Sequence, residues 1–242
     1  MFADYVLRGL KAGLVAGLAF GLFVALVGNP MVGFAETAGH DHAEHDHADA
    51  AVSEHATELV SVAAGVCFGG LLGAVFGLAY YFLEPGLPGG DAASYVLAAA
   101  GFVTVSGAPW LVLPPRPAGV EQTLGADARL SWYAAMMVAG ALTCAFSGYA
   151  YRRLESRSGR PAAVAGAAVP LALLAVSAGF APANPTHGAV PAGLAASFSG
   201  LVVFGQVGLW SVLASGHAWL LRRDRRSPDV DSRSVGAGRH AD

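Results

Sequence analysis

"GLKAGLVAGLAFG" (residues 9–21) places glycine at every fourth position: Gly9, Gly13, Gly17 and Gly21. "GVCFGGLLGAVFG" (residues 65–77) does the same with Gly65, Gly69, Gly73 and Gly77. A spacing of four keeps residues on one face of an α-helix. Both rows lie in apolar runs, "GLVAGLAFGLFVALVGNPMVGFA" (13–35) and "LVSVAAGVCFGGLLGAVFGLAYYFL" (59–83). In lipid the hydrophobic effect does not drive helices together. Bare glycine faces let two backbones approach until dispersion does. The sequence therefore predicts a tight antiparallel hairpin of these two segments, with their connecting loop at its tip.

The rest of the chain agrees with a membrane setting. Of its 242 residues, 55% are apolar and only 13% charged, and mean hydropathy is +0.52. Soluble domains carry about 25% charged residues. A bilayer crossing needs about 20 apolar residues. Six stretches qualify, near 12–33, 59–83, 93–113, 131–150, 162–181 and 194–221. The fifth is Ala-rich and carries Pro170, which neighbouring helices tolerate in a membrane. The expected fold is all-α: a polytopic membrane helix bundle of about six transmembrane helices over residues 1–221, followed by a disordered cytoplasmic tail at 222–242. Arg8, Lys11 and a "GFA" before Glu36 also suit a cleaved signal peptide, but the first apolar run exceeds the 7–15 residues of a signal core, so retention is expected. Cys67 and Cys144 fall inside apolar runs and read as helix-packing residues rather than a disulfide framework.

Charge sets the orientation. Arg8, Lys11, Arg152, Arg153, Arg157, Arg160 and the six arginines from Arg222 to Arg239 fall on one side of a six-crossing bundle. Arg116 and Arg129 fall on the other. The positive-inside rule then puts both termini in the cytoplasm and the loops at 34–58, 114–130 and 182–193 outside. The expected location is the cytoplasmic membrane.

The first outer loop reads "GFAETAGHDHAEHDHADAAVSEHATELV". His40, His42, His45 and His47 are half of the chain's eight histidines, interleaved with Asp41, Glu44 and Asp46. Imidazole and carboxylate together suit borderline divalent ions such as Co²⁺, Ni²⁺ or Zn²⁺. Soft Cu⁺ would prefer thiolate or thioether, and the loop has neither Cys nor Met. The histidine spacing of 2, 3 and 2 fits no single helix or strand face, so a flexible loop would have to gather them. Near neutral pH imidazole is mostly deprotonated and available. The carboxylates concentrate cations around the loop. Such tracts identify metal binding by composition and do not discriminate among metals. Glu36 precedes the cluster. Glu54, His55 and Glu58 follow it, with the two glutamates one helical turn apart. They read equally as an ion handover and as an acidic helix start. His187 lies in the fifth loop, "APANPTHGAVP", and His217 reads as an interfacial histidine near the inner end of the last segment.

Nothing resembles a phosphate-binding loop or a nucleophilic or hydrolytic constellation, so an enzyme is not expected. Nor does the sequence point to nucleic acid. A divalent ion moving inward gains about 2.3 kcal/mol per charge per 100 mV, roughly 4.6 in all, so uptake needs no ATPase in principle.

The chain resembles the predicted cobalt transporter subunit CbtA family over most of its length. The resemblance rests on "YVLRGLKAGLVAGL", the outer loop opening near "AET", "SGAPWLVLPPRPAG" (106–119), "LSWYAAMMVAGAL" and "NPTHGAVPAGLAASF". Pro109, Pro114, Pro115, Pro117 and Gly119 match the family's third-loop pattern, and His187 matches its fifth-loop histidine. Val112 stands where glycine is usual before "LPP", and Ser131, Trp132 and Tyr133 replace an "RQ-WW" run. The resemblance implies cobalt uptake linked to cobalamin synthesis beside a small one-helix subunit, CbtB. The expectation is thus a permease component for divalent metal, most readily Co²⁺, with no permanently bound cofactor. Its candidate ligands are Glu36, His40, Asp41, His42, Glu44, His45, Asp46, His47, His55, Glu58 and His187. A nickel or zinc permease is one alternative. Another is a metal-binding accessory or sensor protein that serves a separate transporter, favoured by the scarcity of polar groups at membrane depth.

Overall fold

The computed structural model describes residues 2–33, 54–88, 90–116, 121–181, 186–187 and 192–226. Helix α1 (Phe2–Phe23) runs on through one π-helical turn (Val24–Gly28) to Gly33. Its buried residues are Gly9, Ala12, Gly13, Ala16, Gly17 and Gly21, so the glycine row is its inner face. Helix α2 (Glu54–Leu83) lies antiparallel along it. A Cβ built on Gly13 would sit 2.6 Å from the Gly73 Cα, and one on Gly73 2.6 Å from the Gly13 Cα. Gly17 meets Gly65 and Gly69, and Gly21 meets Val62, in the same register. The predicted hairpin is therefore present, with backbone lying on backbone where side chains would otherwise hold the helices apart. Near the tip, the Asn29 amide donates to the Ser61 hydroxyl at 3.0 Å.

The third apolar segment is α3 (Ala93–Phe102), a π-helical turn (Val103–Gly107) and α4 (Ala108–Val112). Its π turn and the one in α1 share a local cause. Each ends in glycine followed by X-Pro: Gly28-Asn29-Pro30 and Gly107-Ala108-Pro109. A helical proline has no N–H for the carbonyl four residues earlier, and its ring crowds that carbonyl. Widening the preceding turn relieves the crowding, so the bond closes from one residue further on: the Asn29 N–H reaches the Val24 carbonyl, and the Ala108 N–H reaches that of Val103. The carbonyl that Pro109 leaves free, that of Val105, accepts from the Tyr133 hydroxyl at 2.7 Å.

Helix α5 (Ala126–Ser177) consists of two helical limbs joined at Gly159, whose φ of 80° lies in the left-handed region that glycine tolerates. The chain reverses there. Gly166 packs on Leu154, and Met136 shares a buried cluster with Leu174. The expected loop at 151–161 is thus a one-residue break between two helical limbs, with Arg152, Arg153 and Arg157 on the first. Nothing before Gly159 breaks the helix, and Pro161, near the start of the second limb, suits a helix's first turn.

Helix α6 (Ala192–Arg226) returns along α1: Gly205 meets Phe23, Gly216 meets Ala12, and Arg8 pairs with Asp224. The main core lies where α1, α2, α3 and α6 meet, on Ala16, Phe76, Tyr80, Leu97, Leu209, Trp210 and Leu213. Trp210 is pressed against the bare backbone of Gly101. A second cluster joins α4 to both limbs of α5 through Ala108, Val112, Met136 and Leu174. The outside is as apolar as the inside: Leu71 is 72% exposed, Phe204 69% and Phe146 62%, as an exterior solvated by lipid requires. Cys67 belongs to that exterior, so it is not a packing residue, whereas half-buried Cys144 approaches the Ala100 carbonyl at 3.7 Å. Among the described residues, five helices are long and apolar enough to cross a membrane, and the α5 hairpin among them supplies two of the six apolar segments read from the sequence.

Candidate functional site

Antiparallel packing sorts the loops by end. The segments after α1, after α4 and before α6 all emerge at one end of the bundle. A two-strand pairing confirms this for the last two. Strand β1 (Glu121–Gln122) runs antiparallel to β2 (Thr186–His187), with Glu121 opposite His187 and Gln122 opposite Thr186. The Ser199 hydroxyl on α6 donates to the Pro115 carbonyl at 2.7 Å and fastens the proline-rich loop to the same end. Arg116 and Arg129 are the described basic residues here; Arg8, Lys11, Arg152, Arg153, Arg157, Arg160, Arg222, Arg223, Arg225 and Arg226 are at the opposite end.

Among the predicted ligands, Glu36, His40, Asp41, His42, Glu44, His45, Asp46 and His47 lie outside the described residues. The helices that flank them in sequence, α1 and α2, are joined near this end by the Asn29–Ser61 hydrogen bond. His55 falls in the first turn of α2, and Glu58 is half-buried one turn further on. His187 is placed by β2 in register with Glu121, a carboxylate that the sequence reading passed over. Among the described residues there is no group of three or more His, Cys, Asp or Glu able to hold a metal ion.

Among the described residues, His217 is fully buried between α2, α3 and α6, level with the start of α3 and the end of α2 near the basic end of the bundle, and it faces neither lipid nor solvent. Its Nδ1 lies 3.0 Å from the Ser94 Oγ, and its Nε2 is buried without a hydrogen-bond partner. The rings of Tyr80 and Phe76 flank it at 4.6 and 5.2 Å between centroids. Its position in the long apolar run of α6 was the available signal, because ionisable groups at membrane depth are costly and tend to be functional. Beyond it, toward the basic end, lies a polar lattice. The Tyr5 hydroxyl donates to Glu84 Oε2 at 2.8 Å, Arg225 approaches Glu84 at 3.7 Å, and Arg8 binds Asp224 Oδ2 at 2.7 Å while lying over the Tyr5 ring. Asp4, Tyr5, Arg8, Lys11 and Asp224 surround a cavity of about 500 Å³ there. The bundle thus has a loop-bearing end with a paired Glu–His register, a buried histidine, and a charged end carrying carboxylates.

A family model described as "Probable cobalt transporter subunit (CbtA)" matches residues 2–222. The chain belongs to the CbtA family. It is a multi-pass membrane protein of a family of probable cobalt transporter subunits, and the match takes in α1 to α5 and α6 as far as Arg222. No curated protein and no solved structure matches it significantly. The departures from the CbtA pattern have structural roles. Val112 is buried against Ala108, Met136 and Leu174, and Tyr133 supplies the donor that Pro109 takes from Val105.

Proposed function

We propose that this CbtA-family chain is the membrane subunit of a divalent-metal uptake system, with Co²⁺ as cargo, and that the His/Asp loop collects the ion outside the cell. The observation that carries this reading is the division of charge between the two ends. The positive-inside rule assigns the arginine-rich end to the cytoplasm, both termini included, and the loop-bearing end to the exterior of the cytoplasmic membrane. His40, Asp41, His42, Glu44, His45, Asp46 and His47 then face the scarce ion, with Glu36, His55, Glu58 and His187 around the mouth. His217, with its free Nε2, is the inner stage, and Glu84 and Asp224 receive the cation at the cytoplasmic end. Cobalamin synthesis is the consumer that the family resemblance implies, and CbtB the companion subunit.

The test is cobalt accumulation in cells without other cobalt importers, with the companion subunit present. Changing His40, His42, His45 and His47 together to Ala reduces uptake at limiting Co²⁺ and spares it at high Co²⁺. Equal accumulation at limiting metal removes the loop from the mechanism. Uptake no greater than in empty-vector cells removes the transport reading.

A second reading, that of an accessory subunit delivering metal to a separate permease, draws on the interior. The buried polar side chains among the described residues are Ser94, Ser106, Ser147 and His217, a thin lining for a self-sufficient pore. Under it, the chain without any companion binds Co²⁺ in detergent yet moves none into sealed vesicles.

A further inference from the structure

Helices α2, α3 and the first limb of α5 do not close on one another. Between them runs a cleft of about 1020 Å³, open to the side, with Trp210 of α6 contributing to its wall. Over most of its length the lining is apolar, from Leu72, Phe76 and Leu97 to Ala141 and Ala145. At the basic end it changes character: Arg152, Arg153 and Ser156 line it, and among the described residues no carboxylate does. Arg152 is held in place there, its Nη1 donating to the Gly86 carbonyl at 3.0 Å across the opening between α5 and the end of α2. Both guanidinium groups are exposed at the rim.

A long apolar trough with two cations at one end has the polarity of a phospholipid: acyl chains along the trough and an anionic headgroup at the rim. We propose that the cleft is a binding site for one anionic phospholipid, with its phosphate on Arg152 and Arg153 and its chains against α2 and α3. Basic pockets between transmembrane helices bind anionic headgroups in this manner. Guanidinium also matches phosphate geometry better than ammonium does, by donating through two N–H bonds at once. The lipid seals a gap that the helices leave open, and it bridges the α1–α2–α6 core to the α5 hairpin. That the site opens to the inner leaflet rests on the orientation proposed above; the binding itself does not.

The test uses the full chain purified in detergent, with phosphatidylglycerol and phosphatidylcholine of identical acyl chains and retained lipid counted by native mass spectrometry. Phosphatidylglycerol is retained and phosphatidylcholine stripped. R152Q/R153Q lowers phosphatidylglycerol retention roughly tenfold or more, each arginine being worth about 1 kcal/mol toward an anionic lipid. R157Q/R160Q, which removes the same charge from the same end but outside the cleft, leaves retention within about twofold. Gly148→Leu provides an independent arm. Gly148 lines the cleft and a Cβ there meets nothing within 4 Å, so the side chain enters the trough without disturbing α5 and displaces the lipid with both arginines intact. Far-UV circular dichroism shows that each variant is folded. Equal retention of the two lipids, an equal loss in R157Q/R160Q, or undiminished lipid in Gly148→Leu overturns the proposal. So does a companion polypeptide found crosslinked along the cleft in place of lipid.

Discussion

Gly73→Ala tests whether backbone contact between α1 and α2 holds the bundle together. The new Cβ would lie 2.6 Å from the Gly13 Cα and 2.9 Å from the Gly13 nitrogen. Carbon atoms rest at about 3.5–4.0 Å, so α1 must retreat by about 1 Å at this level. A gap of that size forfeits about a quarter to a half of the dispersion energy at each affected contact. In lipid no hydrophobic gain offsets the loss. Overpacking of this kind costs about 1–3 kcal/mol, and alanine's better helix propensity returns up to about 1 kcal/mol. With the full propensity gain the expected net effect is a loss of up to about 2 kcal/mol. Gly208→Ala, on α6, is the matched control: its Cβ meets nothing within 4 Å, so only the propensity gain remains. Unfolding of the purified chain by SDS titration in mixed micelles, followed by far-UV circular dichroism, measures both. The opposite signs matter more than the magnitudes. If Gly73→Ala is as stable as Gly208→Ala, the glycine rows are not the adhesive, and the close approach follows from packing elsewhere.

Two further predictions concern orientation and the interior. In a background with Cys67 and Cys144 changed to Ser, Thr123→Cys, beside β1, reacts with a membrane-impermeant maleimide added to intact cells, whereas Ser158→Cys, at the α5 reversal, reacts only after lysis. The reverse pattern inverts the bundle and ends the import reading. His217→Ala opens a cavity between Phe76 and Tyr80 and removes the imidazole partner of the Ser94 hydroxyl, at a cost of about 2–4 kcal/mol. His217→Gln keeps a hydrogen-bonding group toward Ser94, so the fold survives while cobalt uptake falls; full uptake in His217→Gln makes the histidine a packing residue only.

The hairpin of α1 and α2 was legible because its signal is stereochemical. Glycine repeated at the helical period leaves one reading in lipid, and the two rows match in length and direction. The ends of the bundle were legible for a similar reason, since arginine does not rest in hydrocarbon. The reversal at Gly159 was set too wide: a run of arginines resembles a solvated loop, although arginine is a good helix former and only Gly159 with Pro161 breaks the pattern. The burial of His217 was not legible, because distance along the segment does not show which face a residue occupies. The neighbours that bury it, Ser94, Phe76 and Tyr80, come from two other helices. The candidate metal loop, which lies outside the described residues, rests on chemistry alone, since spacing of 2, 3 and 2 offers donor groups without a geometry to hold them.

The π turns before Pro30 and Pro109 had a signature in the sequence, a valine-led stretch ending Gly-X-Pro in both segments, and their energetics can be separated. Where Pro109 removes the donor that Val105 would have used, Tyr133 takes its place from α5, at 2.7 Å. Tyr133→Phe therefore leaves a part-buried carbonyl without its donor and costs about 1–2 kcal/mol. Pro109→Ala restores an N–H at position 109 and removes the ring that forced the turn open. In that background the Val105 carbonyl regains a donor from its own helix, and the tyrosine hydroxyl becomes dispensable. The double-mutant cycle should thus show a coupling of about 1 kcal/mol or more between residues 24 positions apart in sequence. Additive losses, with Tyr133→Phe costing the same whether residue 109 is proline or alanine, would mean that the hydroxyl merely fills space. The stagger of α3 against α5 would then owe nothing to the missing hydrogen bond.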